Sequence, residues 1–373
     1  MKKITSLFLL PFFLSCNSQV KPNDVPLQDE VKNYTFETVT SGIAIPWGMA
    51  WLPDGSMLIT EKSGILYHLK NGQKTKIKNV PAVYDHGQGG LLDIVLHPNY
   101  NKSGWIYITY ASTEGEGKGG NTKLIRAKLK NESLIQIESL YKCSPNTTAG
   151  QHFGSRIAFD DDGHVYFSAG ERGAHFVNPQ DISCDNGKIY RLNDDGSIPK
   201  DNPFVGKKGA KEAIYSYGHR NPQGLAKHPV TGEIWEHEHG PKGGDEINII
   251  KKGANYGWPI VTYGIDYDNT TISKIQEKPG IENPIYYWTP SIAPCGMAFV
   301  TSNRYPDWKG HLLVGSLKFQ YLELLKLKGK QVIGRQKIAT DIGRVRNVAQ
   351  GPDGYIYITV EGKGIIKIVP NKR

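Results

Sequence analysis

Three things are scarce in this 373-residue chain: cysteine, clustered positive charge and long apolar runs. Apart from Cys16, the cysteines are Cys143, Cys184 and Cys295, whose spacing is not that of a metal site. Three is an odd number, so an oxidising compartment allows at most one intrachain bridge, and nothing in the spacing selects the pair. The formal charge is +9, but lysine and arginine are scattered rather than gathered in runs. That pattern makes nucleic acid the weakest reading of the basic excess, behind an anionic surface or an anionic cofactor. No long stretch places apolar residues at the helical spacing of 3.6, which excludes an all-helical fold. What is plentiful is glycine (42), proline (22), tyrosine (20) and tryptophan (7), the composition of strands and turns. Hydrophobic residues make up 38% of the chain, enough for a sizeable core.

The N-terminus reads as a processing signal. Lys2 and Lys3 precede an apolar run over residues 4–14, too short to cross a membrane as a helix. Phe13-Leu14-Ser15-Cys16 follows and is similar to a bacterial lipoprotein box, in which the cysteine is lipidated and becomes the first residue. The expected layout is a leader over 1–16, a flexible tether over 17–33 and one domain over 34–373. The expected location is the bacterial cell envelope, lipid-anchored through Cys16 or secreted.

From Tyr34 onward a turn-plus-strand phrase recurs. Pro53-Asp54-Gly55 precedes SMLITE, Asp161-Asp162-Gly163 precedes HVYFSAGE, and Pro352-Asp353-Gly354 precedes YIYITVEG. Pro229-Val230-Thr231-Gly232 before EIWEHEHG and Lys102-Ser103-Gly104 before WIYITYAS are weaker versions. Asp-Gly supplies the positive φ of a tight turn, and each following run alternates apolar with polar residues. Copies at uneven intervals of several tens of residues predict radially repeated sheets, an all-β six-bladed propeller, with a pair of β-sandwiches as the alternative. YTFETVT near the start is strand-like and would complete the last blade.

Four constellations carry chemistry. Around Gln88, three glycines let backbone approach a ligand, although taken alone they read first as a glycine-rich turn before a strand. His152 stands where a propeller's loops end and its sheet begins, and an imidazole there can take a proton from a hydroxyl. The third, from Ala213 to Tyr256, is the densest. Arg220 and Asn221 offer donors to something anionic, while Gly240-Pro241 exposes carbonyl oxygens of the kind Ca²⁺ prefers. Asp245 and Glu246 read as ligands of a second ion or as surface acids. In the C-terminal third, Arg344 and Arg346 lie on one side of a strand, with Lys318 upstream. Two guanidiniums placed so repel unless an anion lies between them.

The segments GQGGLLDIVLHP, QHFGSRIAFDDDG, YGHRNPQGL, EHEHGPKGGDEIN and NYGWP closely resemble the soluble quinoprotein sugar dehydrogenases, specifically the bacterial aldose sugar dehydrogenases that use pyrroloquinoline quinone (PQQ). The similarity runs in order from about residue 40 to the C-terminus. It implies a six-bladed propeller with PQQ and Ca²⁺ in a cleft, oxidising an aldose sugar to its lactone and passing electrons to an external acceptor. Carried over by motif, His152 is the base, and Gln88, Arg220, Asn221, Lys318, Arg344 and Arg346 contact PQQ, with Tyr267 beside it. The Gly240 and Pro241 carbonyls hold Ca²⁺, and Glu246 and Tyr256 belong to a further, structural Ca²⁺ site. Ser291 is not carried over, because some relatives place a threonine there. The segment around 115–121 and the region 262–290 differ among relatives, so sugar preference does not transfer. The competing readings are a Ca²⁺-dependent propeller lactonase and a non-catalytic carbohydrate-binding propeller. Neither needs four convergent cations.

Overall fold

The computed structural model describes residues 25–174 and 176–371. Over them the chain forms six sheets arranged as the blades of a propeller, each built on four antiparallel strands; in five blades these four run in sequence order, and in the last the outermost strand comes from the beginning of the domain. The innermost strands are Pro46–Trp51, Leu91–Leu96, Ile157–Phe159, Pro222–Lys227, Pro294–Phe299 and Val345–Gln350. The ring closes because Tyr34–Thr40 pairs antiparallel with Gly364–Pro370, Phe36 opposite Ile368, as the fourth strand of the last blade.

Every recurring phrase falls at the same place, the turn from first to second strand of a blade. Gly55, Gly104, Gly163, Gly232 and Gly354 all take positive φ there. The fifth blade makes this turn at Gly310, also at positive φ, without the Asp-Gly signature. Second strands such as Met57–Glu61, Val165–Ala169 and Ile356–Val360 are buried along their whole length, since a blade packs against a neighbour on each face. The core is therefore divided into layers between blades: Leu58 and Leu66 meet Leu91, Ile106 and Ile125, while Leu313, Leu322 and Leu324 meet Val348, Ile356 and Ile358.

One side chain joins the layers at the axis. The Arg156 guanidinium lies over the Trp47 ring at 4.0 Å and donates to Asp93 Oδ1 (3.3 Å), the Gln223 carbonyl (2.9 Å), Cys295 Sγ (3.4 Å) and the Arg346 carbonyl (2.6 Å). Those partners come from the innermost strands of the other blades, so a single buried cation ties all of them together.

The tether expected over 17–33 does not run free to its end. Leu27–Gln28 adds a parallel strand to the edge of the fifth blade, Leu27 opposite Arg335. Val25 is buried against Trp288, Ile292 and Leu325. The Glu30 carboxylate accepts from the Ala339 and Thr340 amides at 3.1 and 3.3 Å. Residues 25–33 thus belong to the folded domain. A proline at 26 and charges at 29, 30 and 32 give them the composition of a linker, while one buried valine and a capping carboxylate fix them in place. Cys16 and the leader lie outside the described residues. Cys143, Cys184 and Cys295 are all free thiols, so the bridge that an oxidising compartment would permit does not form.

Candidate active site

Two loop sets supply the site. One immediately precedes the innermost strands and carries Gln88, His152, Arg220, Asn221 and Arg344; the other follows the second strands and carries Lys62, Glu171, His239, Leu317 and Glu361. Together they line two cavities. The first, about 340 Å³, is bordered by Lys62, Gln88, Asn221, His239, Arg344, Arg346 and Glu361. The second, about 390 Å³, is bordered by Gln88, Gln151, His152, Glu171, Arg220, Trp258, Asp266 and Tyr267. Gln88 is common to both.

His152 is held from two directions. Its backbone N–H donates to Gln88 Oε1 at 2.8 Å, fixing a residue whose φ is +58°. Its Nδ1 bonds to Glu171 Oε1. A carboxylate only accepts, so Nδ1 carries the proton and Nε2 is left as the basic nitrogen. Glu171 is almost fully buried, with a side chain 1% exposed, so its charge acts on the imidazole with little screening. Nothing in the sequence reading singled out Glu171, although it ends the recurring phrase HVYFSAGE.

In the first cavity Arg344 and Arg346 do reach to the same place, and the anion between them is internal. Glu361 Oε2 accepts from Arg344 Nε at 2.6 Å, and Glu361 Oε1 accepts from Arg346 Nε at 3.1 Å. Burial pushes the Glu361 carboxyl up, but the two guanidiniums outweigh it and hold the group below its usual range. Lys62, also missed, adds a cation at the rim and pairs with Asp85. Asn221 is fully buried; its Oδ1 accepts from the Gly154 amide at 3.1 Å, while its Nδ2 has no partner. An unsatisfied buried donor is costly, and this one borders the cavity.

Two of the expected contacts stand elsewhere. Lys318 is exposed and does not line either cavity; its ammonium lies over the Phe319 ring at 5.2 Å, and its neighbour Leu317 takes the lining position. The second strand ends at Ser316, and the chain turns outward after Leu317. Tyr267 is 67% exposed and borders the second cavity rather than the cation-lined one.

The Gly240-Pro241 turn is fixed by Asp245. That carboxylate is fully buried and accepts from the Gly240 amide (2.9 Å), Ser291 Oγ (2.9 Å) and the amides of Ile292 (2.7 Å) and Ala293 (3.0 Å). It is neither a surface acid nor a spare ligand. Burial still raises its pKa to about 6. Gly240 must be glycine, since a Cβ there would meet the Gly243 carbonyl oxygen at 2.1 Å. Arg220 reaches over Trp258 and donates to the carbonyls of His239 (3.1 Å) and Gly240 (3.0 Å).

Behind the turn lies a group of acids. Glu238 pairs across strands with Glu246, and Glu236 with Asn248. Ligand atoms of His219, Glu236 and Glu238 all lie within 4.8 Å of one another. Glu236 Oε1 and Asn248 Oδ1 are buried without a partner. Burial, and then the charge of Glu238, pushes Glu236 and Glu246 well above the carboxylate range. Acids crowded in this way beside two orphaned acceptors fit a hard divalent cation with oxygen ligands. Tyr256 cannot contribute its hydroxyl, which donates to the Ile249 carbonyl (2.6 Å) and accepts from the Lys251 amide (2.9 Å). Only its main-chain carbonyl remains for a metal. Its ring stacks on His219 at 4.6 Å.

A propeller that joins a carboxylate-oriented imidazole to a cation-lined cavity through one shared glutamine is built as an enzyme around an anionic cofactor. The sequence matches the Glucose / Sorbosone dehydrogenase family over residues 43–367. The aldose sugar dehydrogenase YliI of Escherichia coli K12 is 41% identical over 335 residues, covering 87% of this chain and 90% of that protein. The apo-form crystal structure of the soluble aldose sugar dehydrogenase of E. coli superposes with a TM-score of 0.85 at 36% identity, covering 91% of this chain and 100% of that one. The PQQ-bound aldose sugar dehydrogenase of Streptomyces coelicolor superposes with a TM-score of 0.75 at 27% identity, over 92% and 99% of the two chains. The chain belongs to the glucose/sorbosone dehydrogenase family, the soluble quinoprotein aldose sugar dehydrogenases, and is an oxidoreductase.

Proposed function

We propose that the protein oxidises aldoses at the anomeric carbon to lactones, with PQQ and Ca²⁺, and passes the electrons to an external acceptor. The observation that carries this reading is the union of the His152–Glu171 pair with the Arg344–Glu361–Arg346 cluster in one cleft spanned by Gln88. The cations and the orphaned Asn221 amide suit a planar polycarboxylate. Arg344, Arg346, Asn221, Gln88 and Arg220 would hold PQQ, with Tyr267 bordering the adjoining cavity. The Gly240 and Pro241 carbonyls would hold its Ca²⁺, and Glu246, the Tyr256 carbonyl and the acids behind them a second ion. When bound, PQQ with its Ca²⁺ supplies a polarised two-electron acceptor for the hydride.

The protein's own part is proton transfer and placement. His152 Nε2 takes the proton of the anomeric hydroxyl while the C–H electron pair leaves as hydride, so the C–O single bond becomes the lactone carbonyl. Glu171 keeps Nε2 basic and stabilises the imidazolium that forms. The protein is placed in the cell envelope by its leader, with a lipid on Cys16 as the anchor; replacing Cys16 by serine should release it from the membrane fraction.

The activity test is direct. Apo-protein given PQQ and Ca²⁺ should reduce a dye when an aldose is added, and only then. Fast lactone hydrolysis without sugar-dependent dye reduction would replace this reading with that of a propeller lactonase.

A further inference from the structure

The second cavity contains a carboxylate that the proton-transfer machinery does not use. Glu171 is bonded to His152, but Asp266 forms no ion pair among the described residues. Its Oδ1 accepts from the Tyr267 amide at 2.7 Å, and its backbone N–H donates to the Thr270 carbonyl at 2.9 Å. The same cavity is walled by Trp258, Tyr267 and Ile272, and Gln151 faces it beside the base. Gly173 leaves the space that the Gln151 amide occupies: a Cβ there would lie 2.5 Å from Nε2.

We propose that Asp266 is the specificity-determining residue of the sugar subsite, accepting hydrogen bonds from aldose hydroxyls remote from the anomeric carbon. This rests on the dehydrogenase reading above. A pyranose presents adjacent hydroxyl donors along its edge and C–H groups on its faces. A carboxylate with a free oxygen matches the edge, and aromatic and aliphatic walls match the faces. The division of charge between the cavities supports the assignment. Lys62, Arg344 and Arg346 border the first cavity, while in the second Arg220 is turned onto the His239 and Gly240 carbonyls and Asp266 is the acid with no ion pair among the described residues. The site thus takes neutral aldoses and disfavours uronic acids, whose carboxylate would face Asp266.

The test is Asp266→Asn in the PQQ- and Ca²⁺-loaded enzyme. Asparagine keeps the oxygen that caps the Tyr267 amide, so the turn survives and only the charge is removed. Hydrogen bonds to charged groups are worth enough that KM for a neutral aldose should rise about tenfold or more, with kcat little changed. The ratio of uronic-acid to neutral-aldose turnover should rise several-fold, a change that a loosened loop would not produce. PQQ affinity, followed by its absorbance on titration into apo-protein, should be unaltered. If KM and the uronate ratio match wild type, or if PQQ binding weakens instead, the assignment is overturned while the dehydrogenase reading stands. A loaded wild-type enzyme that oxidises no aldose overturns both.

Discussion

Replacing Arg156 by methionine should be the most damaging single change away from the reacting groups. The guanidinium is 3% exposed and gives hydrogen bonds to two carbonyls, a carboxylate and a thiol. Methionine fills much of the volume but leaves Asp93 as a buried acid with backbone amides, Ile157 at 3.0 Å among them, as its remaining donors. Burial already pushes the Asp93 carboxyl up against the pull of Arg156, so losing the partner leaves it neutral or isolated. Breaking a buried pair in this way costs about 3–5 kcal/mol. At roughly 2 °C per kcal/mol in a domain of this size, Tm should fall by roughly 6–10 °C. The Arg346 carbonyl and Gln223 also border the cofactor cavity, so PQQ affinity should drop with stability. Thermal unfolding of wild type, Arg156→Met, Asp93→Asn and the double variant completes a cycle. The double variant should lose clearly less than the sum of the singles, because removing both partners leaves no uncompensated charge. Additive losses, or a single-variant loss of less than about 1 kcal/mol, would show that the axis is held by blade packing alone and that Arg156 is a bystander.

Other perturbations separate the roles within the cleft. His152→Ala should keep PQQ and lose turnover by about 10²–10⁴-fold, and Glu171→Gln should shift the rising limb of the pH–kcat profile to lower pH without changing PQQ affinity; near-normal oxidation by the alanine variant removes His152 from the base role. Arg344→Ala combined with Arg346→Ala should weaken PQQ in an absorbance titration, with a shallower dependence on salt than wild type, whereas unchanged affinity would mean that Glu361 is their sole partner. Burial lowers the His237 pKa to about 3, while the unfolded chain takes up that proton near 6.5. Stability from this group is therefore complete above pH 6.5 and is lost as pH falls toward 3. Between pH 7 and pH 5 His237→Gln should spare about 2 kcal/mol of the loss seen in wild type, and equal losses in urea titrations would refute it.

The fold was legible because a propeller repeats its turn chemistry. Asp-Gly at Gly55, Gly163 and Gly354 needs positive φ wherever it occurs, so those copies mark the same hairpin in different blades. The fifth blade escaped notice because Lys309-Gly310 makes the turn without the aspartate. The docking of Val25 and Glu30 was illegible for another reason. It depends on the edge of a strand some three hundred residues away, and local composition has no access to such a partner.

Of the residues that line the cleft, the sequence drew attention to His152, Arg344 and Arg346 but not to the carboxylates that organise them. His152, Arg220 and Arg344 precede innermost strands, in segments with unusual local chemistry. Glu171 and Glu361 each follow a second strand, where an acid after an apolar run looks like an ordinary strand end. Yet the recurring phrases SMLITEK, HVYFSAGE, EIWEHEHG and YIYITVEG each contain an acid near their close. In the third and sixth blades propeller geometry delivers that position to the cleft, where Glu171 and Glu361 line the two cavities. The paired loop sets then explain why the acids meet the cations: residues before one strand and after the next share the same end of the same blade. Arg344 and Glu361 are such a pair, as are His152 and Glu171. In this architecture an acid closing a second strand is therefore a candidate partner for whatever charged residue stands before the first.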